Sequence, residues 1–168
     1  RGTLAMDVAR TLKRVSPDLV AQAQLCLVET SPRLRDMQAA TLSDNGLAYS
    51  WHETVDTLPA GPLLIVGNEL FDAVPMRQFV RSEAGWRERM VGLDEHGALR
   101  FEAGTAGIDP ALLPAAAASA PHGAIFEIAP ARDALMSRIA ARIARDGGAG
   151  LFLDYGTEES GIGDTFQA

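Results

Sequence analysis

Hydrophobic and polar positions along the chain follow helical and strand spacings in turn. Residues 4–12 carry apolar side chains at helical spacing with a polar opposite face, which predicts a helix that begins near the first residue. Residues 24–28 form a short apolar run typical of a buried strand. Ser31 and Pro32 predict the start of a second helix, continuing to about Thr41, because serine caps helices and proline suits their first turn.

The middle of the chain changes to strand patterns. Residues 47–51 predict one strand, and the continuous apolar run at residues 63–67 predicts another of the kind that parallel sheets bury on both faces. Three segments with turn residues between them then predict an antiparallel β insertion at about residues 76–105; they are residues 77–82, 86–93 and 99–102.

The last third of the chain returns to helical spacing. Residues 107–121 are rich in alanine and proline and predict a surface helix with a connection. Residues 129–145 contain strong helix formers with an apolar stripe, and Gly147 and Gly148 close that helix. Residues 151–153 predict a final strand.

This alternation of strands and helices predicts an α/β fold of the Rossmann-like kind. It has a parallel sheet, right-handed crossovers, helices on both faces and the antiparallel insertion. Ligands of such sheets bind at the carboxyl ends of the strands. Polar groups follow three of the predicted strands at those ends: Glu29, Asn68 with Glu69, and Asp154.

Composition narrows the classes of function. A length of 168 residues fits one domain, and a net charge of −7 disfavours nucleic acid as a partner. Cys26 is the only cysteine, and the three histidines are far apart, so neither a disulfide nor a metal site is expected. No stretch reaches the roughly 18 apolar residues of a membrane span.

Glu29 has the position of a residue that recognises a ribose. A carboxylate after the second strand of a nucleotide-binding unit accepts hydrogen bonds from both ribose hydroxyls. Gly2, 27 positions earlier by subtraction, matches the last glycine of a cofactor loop at a helix N-terminus. The alternatives are a solvated glutamate at a strand end and an ordinary turn glycine.

Acidic side chains follow the most apolar strand. Asn68, Glu69 and Asp72 place an amide and two carboxylates at the predicted cleft, where they suit a guanidinium through forked hydrogen bonds. Alternatively, Asn68 caps a following helix and Glu69 lies in its first turn. Asp154 either lines the same cleft or caps its strand.

Four ordered motifs carry a resemblance to the MidA family, which includes a mitochondrial complex I assembly factor. They are residues 1–4, 28–35, 67–75 and 153–156, and the similarity extends to residues 127–130 and 163–168. The resemblance implies a class I methyltransferase fold and S-adenosylmethionine as the methyl donor. For the mitochondrial relative, it implies dimethylation of an arginine in a complex I subunit.

The resemblance also implies residue roles. The cofactor-binding set is Gly2, Thr3, Glu29, Thr30, Trp51 and Asn68, with Trp51 placed to shield the adenine by its position alone. The catalytic set is Asn68, Glu69, Asp72 and Asp154.

The chain departs from the family at both ends. The glycine-rich strand and loop expected before Arg1 are absent, and family members continue past Ala168, so a partial methyltransferase domain is expected. The alternative function is a non-catalytic assembly or interaction module with the same fold. A nicotinamide-dependent oxidoreductase is disfavoured, because Lys13 is the only lysine and no Tyr-x-x-x-Lys pair exists. Composition suggests a bacterial cytoplasm, and the resemblance suggests the mitochondrial matrix for a eukaryotic source.

Overall fold

The computed structural model describes residues 1–156 and 161–166, and these residues form two compact units. The first unit contains residues 1–62 and 141–147. The second contains residues 63–140 and the described residues from 148 onward. Gln167 and Ala168, which belong to the last motif of the family resemblance, lie outside the described residues.

The first unit combines helices with a parallel strand pair. Its elements are α1 (Thr3–Val15), α2 (Pro17–Gln22), β1 (Leu25–Val28), α3 (Pro32–Leu42) and β2 (Tyr49–His52), with short 3-10 turns at Ser43–Asn45 and Val55–Thr57. Strands β1 and β2 are parallel, with Leu25 opposite Tyr49.

Proline and serine set the helix boundaries in this unit. Ser31 caps α3 as predicted, because its hydroxyl accepts a hydrogen bond from the Leu34 amide at 3.4 Å. The sequence analysis predicted no second helix between residues 12 and 24. Instead, Pro17 begins the short helix α2, since its fixed φ and missing N–H suit a first helical position.

The second unit contains a parallel pair and an antiparallel sheet. Its strands are β3 (Leu63–Asn68), β4 (Arg77–Ser82), β5 (Gly85–Leu93), β6 (Leu99–Gly107), β7 (Ile125–Ile128) and β8 (Gly148–Leu153). Strands β3 and β8 are parallel, and the antiparallel sheet has the order β6-β5-β4-β7. Helix α4 (Pro130–Asp146) precedes β8, and its last residues belong to the first unit.

An aromatic cluster forms the core beneath the antiparallel sheet. Phe79 is 1% exposed and packs with Trp86, Phe126 and Ala117. The Trp86 and Phe126 rings meet edge to face at 6.3 Å, a favourable aromatic geometry. Phe126 belongs to β7, a strand that the sequence did not predict.

The predicted surface helix at residues 107–121 is wrong. The chain forms two 3-10 turns there, Pro110–Leu112 and Ala115–Ala118. Proline limits both segments, because Pro110, Pro114 and Pro121 leave too few residues between successive prolines for helical hydrogen bonds to propagate.

The predicted fold class is confirmed: parallel strands, flanking helices and an antiparallel sheet make an α/β fold. The parallel strands occur as two pairs, β1 with β2 in the first unit and β3 with β8 in the second. Within the described ranges, no helix is both long enough and apolar enough to cross a bilayer.

A buried arginine organises the first unit. Arg142 is 6% exposed, and its guanidinium donates to the carbonyl oxygens of Val55 at 3.3 Å, Leu58 at 3.2 Å and Pro59. The same group pairs with Asp146 one helical turn further on. One side chain therefore satisfies three loop carbonyls that have no strand partner.

The carboxylate of Asp146 is expected to make the stability of the fold depend on pH. Hydrogen bonds from Arg145 and then from Arg142 lower the pKa of Asp146 from 3.8 to about 2. A lowered pKa in the folded state stabilises the fold above the unfolded pKa, and this contribution is lost as pH falls from about 4 to about 2. The variant Asp146→Asn lacks this contribution at all pH values.

We therefore expect the urea midpoints of the wild type and Asp146→Asn to differ at neutral pH and to converge as pH approaches 2. Asp36→Asn, at an exposed site on α3, is the matched control and should follow the wild type. Midpoints of Asp146→Asn that stay parallel to those of the wild type over this range would contradict the assignment.

Candidate functional site

Gly2 begins the first candidate region, in the first unit. It precedes α1 with φ of 92°, in the left-handed region that favours glycine. A Cβ at this position would lie 3.3 Å from both Gln38 Cα and Thr41 Cβ of α3. Position 2 thus requires glycine for two reasons: the positive φ of its backbone and the close approach of helix α3. Thr3 follows as the exposed first residue of α1.

Glu29 directly follows β1, and its backbone continues the sheet by donating from N–H to His52 O at 2.9 Å. Its carboxylate is half-buried and held at both oxygens. Oε1 accepts from the Ser31 amide at 2.9 Å, and Oε2 accepts from Gln38 Nε2 at 3.1 Å. Arg35 Nε also donates to the Glu29 carbonyl at 2.7 Å, so the side chain and the backbone are both fixed.

Trp51 lies within β2 and contacts helix α3. Its indole Nε1 donates to Gln38 Oε1 at 2.9 Å. Gln38 is 8% exposed and links Trp51 to Glu29. Thr30 is exposed between β1 and α3. We call Glu29, Gln38 and Trp51 the Glu29 cluster.

The second candidate region, in the second unit, begins at the end of β3. Asn68 is exposed and lies opposite Leu153 of β8 in the parallel register. A Cβ at the preceding Gly67 would lie 2.8 Å from the Phe152 ring, so glycine makes room for that ring. Phe152 in turn packs against Phe71, with ring centroids 5.3 Å apart.

A turn of four residues, 69–72, follows Asn68, and we call it the acidic turn. Glu69 donates from its amide to Leu153 O at 2.8 Å and has φ of 53°, an uncommon conformation for a residue with a side chain. Asp154 Oδ1 accepts from the amides of Phe71 at 2.9 Å and Asp72 at 3.3 Å. The last residue of β8 therefore holds the turn through its backbone, and the next residue, Asp154, holds it through its side chain.

Arg132, from the first turn of α4, contacts the acidic turn as well. Its Nε donates to the Phe71 carbonyl at 3.2 Å. The buried Phe71 ring and these hydrogen bonds keep Glu69 in its strained backbone conformation, as strained residues at functional sites require.

Negative charge accumulates at this turn. Partial desolvation and the nearby carboxylates of Asp72 and Asp154 raise the pKa of Glu69, and a hydrogen bond with the Asp72 side chain adds to the rise. The second oxygen of Asp154, Oδ2, is buried and has no hydrogen-bond partner in residues 1–156 and 161–166. A cationic ligand with several N–H donors would match both features.

The structure brings some of the predicted site residues together. Glu69, Asp72 and Asp154 gather at the acidic turn of the second unit, whereas Gly2, Glu29 and Trp51 belong to the first. The alternative role of Asn68 as a helix cap is wrong, because a turn and not a helix follows β3. Asp154 caps that turn, and not its own strand.

Sequence reasoning missed Gln38 and Arg132. Gln38 lies in α3 where its spacing indicated only a helical position, and its burial with polar partners is a tertiary feature. Arg132 lies in the first turn of α4, a position that helix dipoles disfavour for a cation. The positive charge of Arg132 at this unfavourable position was the one feature of the sequence that indicated a role for this residue.

The free acceptor sites of the Glu29 cluster are compatible with the hydroxyl groups of a nucleoside. The Glu29 oxygens each accept one N–H bond from the protein. A carboxylate has about four acceptor sites, so both oxygens can still accept hydrogen bonds from ribose hydroxyls.

Comparison with known proteins identifies the family of the chain. Residues 1–168 match a family described as "Putative S-adenosyl-L-methionine-dependent methyltransferase". The chain is 30% identical to protein arginine methyltransferase NDUFAF7, mitochondrial, of Danio rerio over 99% of this chain and 44% of that protein. It is 28% identical to the Homo sapiens protein of the same name over 99% of this chain and 42% of that protein.

Solved structures show the same relationship. A crystal structure from Burkholderia thailandensis, bound to S-adenosyl-homocysteine, is 28% identical and covers 93% of this chain and 40% of that chain, with a TM-score of 0.68. A native crystal structure from the same organism is 27% identical over 94% of this chain and 41% of that chain, with a TM-score of 0.69.

The chain thus spans less than half the length of these relatives. Even so, the resemblance found in the sequence motifs is confirmed over the whole chain, and S-adenosylmethionine is the cofactor of the matching family. The chain belongs to this family of S-adenosyl-L-methionine-dependent methyltransferases.

Proposed function

We propose that the protein transfers a methyl group from S-adenosylmethionine to an arginine side chain of a protein substrate. The acidic turn carries this proposal, because its two carboxyl groups, those of Glu69 and Asp72, lie near the carboxyl group of Asp154. A guanidinium is the side chain that binds paired carboxylates through forked hydrogen bonds.

We assign cofactor binding mainly to the first unit. Glu29 would accept hydrogen bonds from the ribose, Trp51 would cover the adenine, and Gly2 with Thr3 would form the end of the cofactor loop. Thr30 would lie beside Glu29, and we propose Asn68 as both a cofactor-binding and a catalytic residue. When bound, S-adenosylmethionine supplies an electrophilic methyl group.

We assign substrate binding to the acidic turn. Glu69 and Asp72 would hold the guanidinium and orient one of its nitrogens, and such positioning is a large part of catalysis. Asp154 Oδ2, buried without a described partner, supports a donor-bearing ligand at this place. Its Oδ1 would meanwhile keep the turn in shape.

The nitrogen that receives the methyl group must also lose a proton. Glu69 is suited to accept it, because desolvation and its acidic neighbours raise its pKa and a stronger base removes a proton more readily. The same neighbours would stabilise the positive charge of the guanidinium before transfer.

The names of the relatives support the finer parts of this proposal. The proteins from Danio rerio and Homo sapiens are named as mitochondrial protein arginine methyltransferases. By extension we propose a protein substrate, which for a eukaryotic source is a respiratory complex I subunit in the mitochondrial matrix. For a bacterial source we propose a cytoplasmic protein substrate.

Calorimetric titration of S-adenosylmethionine into the whole protein tests the cofactor assignment. Glu29→Ala should weaken binding by about tenfold or more, equivalent to about 1.4 kcal/mol, because the ribose hydroxyls lose a charged acceptor. Glu83→Ala, an exposed glutamate in the β4–β5 turn, is the control and should bind like the wild type.

A wild type that does not bind S-adenosylmethionine would reject the enzyme proposal. The alternative function, a non-catalytic assembly module with the same fold, would then explain the acidic turn better. In that case the turn would bind a basic segment of a partner protein.

A further inference from the structure

A buried glutamine connects two residues that the proposed function assigns to the cofactor. Gln38 lies in α3 and is 8% exposed. Its amide nitrogen donates to Glu29 Oε2 at 3.1 Å, and its amide oxygen accepts from Trp51 Nε1 at 2.9 Å. Moving a buried amide whose nitrogen and oxygen both form hydrogen bonds costs free energy, because both groups would be left without partners. This arrangement therefore favours a single geometry of the Gln38 side chain.

Trp51 determines which way the Gln38 amide points. An indole N–H can only donate a hydrogen bond, so the oxygen of the amide must face Trp51. The NH₂ group must then face Glu29, which accepts as a carboxylate. Without the indole, the amide could rotate by half a turn and present its oxygen to the carboxylate, which is repulsive.

The Glu29 carboxylate is consequently fixed from two sides. The Ser31 amide donates to Oε1 and Gln38 donates to Oε2, so the plane of the carboxylate cannot rotate freely. A vicinal diol needs two acceptors at a set spacing and angle, and a carboxylate provides them only when its plane is held.

We propose that Gln38 is a positioning residue for ribose recognition, which holds the Glu29 carboxylate in the orientation that accepts both ribose hydroxyls, with Trp51 setting the direction of its amide. This inference rests on the proposed function. It adds a role for Trp51 besides contact with the adenine, and it assigns Gln38 no contact with the cofactor.

The test measures ribose discrimination and not affinity alone. Binding of S-adenosylhomocysteine and of its 2′-deoxy and 3′-deoxy analogues is compared by calorimetry in the wild type and in Gln38→Met, which has similar volume without the amide. We expect the wild type to bind the ligand with the intact ribose about tenfold or more tightly than either deoxy analogue. Each lost hydrogen bond to a charged group removes a substantial part of the binding free energy. In Gln38→Met this preference should shrink to about two- or threefold.

Three variants separate positioning from general damage. Gln38→Glu keeps the volume and the acceptor for Trp51 but replaces the donor facing Glu29, so it should lose the ribose preference too. Trp51→Phe removes the indole donor and should reduce the preference partly. Gln78→Met is the matched control, because Gln78 is an equally buried glutamine at 8% exposure in the second unit, and it should keep the wild-type preference.

A double-mutant cycle with Glu29→Ala adds a second readout. If Gln38 acts through Glu29, Gln38→Met should cause no further loss of affinity once Glu29 is alanine. Circular dichroism and thermal melting of each variant show that it is folded. The intrinsic tryptophan fluorescence, to which Trp51 and Trp86 contribute, should shift in Gln38→Met but little in Gln38→Glu.

The outcomes distinguish the proposed function from the proposed role of Gln38. A wild type that binds none of these ligands rejects the proposed function and this inference with it. A wild type that prefers the intact ribose, with folded Gln38→Met keeping that preference, overturns only the role of Gln38. Equal weakening of all three ligands in Gln38→Met would likewise show that Gln38 supports the fold and not the ribose.

Discussion

Replacing Glu69 by glutamine is expected to slow methyl transfer by about a hundredfold or more, because the variant loses both a charged partner for the guanidinium and the proton acceptor. Binding of S-adenosylhomocysteine should stay at the wild-type level, since the Glu29 cluster, which we propose to bind the ribose, is unchanged. The measurement is incorporation of labelled methyl groups from S-adenosylmethionine into arginine-containing peptides, with the same peptides carrying lysine as the negative control.

The stability of the same variant provides an internal check. The raised pKa of Glu69 means that its ionised form is disfavoured in the folded state, so this group destabilises the fold as pH rises through that pKa. Glu69→Gln should therefore unfold at an equal or higher urea concentration at pH 7. Glu88→Gln is the opposite case, because Arg77 lowers the pKa of Glu88 by hydrogen bonding, and it should lower the midpoint.

A Glu69→Gln protein that is less stable than the wild type would show that its lost activity reflects unfolding. A stable variant with full methyl transfer would reject Glu69 as a catalytic residue. Only a stable and inactive variant agrees with the proposal.

Replacing Arg142 by alanine is expected to destabilise the protein by about 3 kcal/mol or more, because buried carbonyl groups lose their donor and a large side chain leaves a cavity. Three carbonyls, those of Val55, Leu58 and Pro59, depend on this guanidinium. Equilibrium unfolding in urea measures the change.

Arg145→Ala is the matched control for this experiment. Arg145 contacts the same carboxylate of Asp146, but 67% of its side chain is exposed, and exposed ion pairs contribute little to stability. The control should therefore change the midpoint only slightly. If Arg142→Ala proved as mild as Arg145→Ala, water would have to satisfy the loop carbonyls, and Arg142 would not organise the loop.

Much of the fold was accessible from the sequence, because it depends on local signals. Ser31 and Pro32 marked the start of α3, and the apolar run at residues 63–67 marked β3. β7 was missed because its four residues become recognisable only through pairing with β4, in which Phe79 lies opposite Phe126. Sequence periodicity over so few positions does not distinguish a strand from a connection.

The candidate site likewise contains residues that the sequence predicted and residues that only the packing of elements revealed. Glu29, Glu69 and Asp154 were predicted because each follows an apolar run at a strand end, which is a local pattern. The roles of Gln38 and Arg132 depend on which elements pack together, and a single sequence contains no direct record of that packing. The function of Asp154 as a cap for the acidic turn likewise required the pairing of β3 with β8.

The acidic turn is held by a residue 83 positions further along the chain, counted from Phe71 to Asp154. Closing a loop of this length costs conformational entropy before the contact stabilises it. During synthesis, Glu69 and Asp72 emerge from the ribosome well before β8. The carboxylates therefore cannot take up the arrangement proposed for the guanidinium until α4 and β8 have been made and β8 has paired with β3. A nascent chain that still lacks β8 is expected to be unable to bind the proposed substrate.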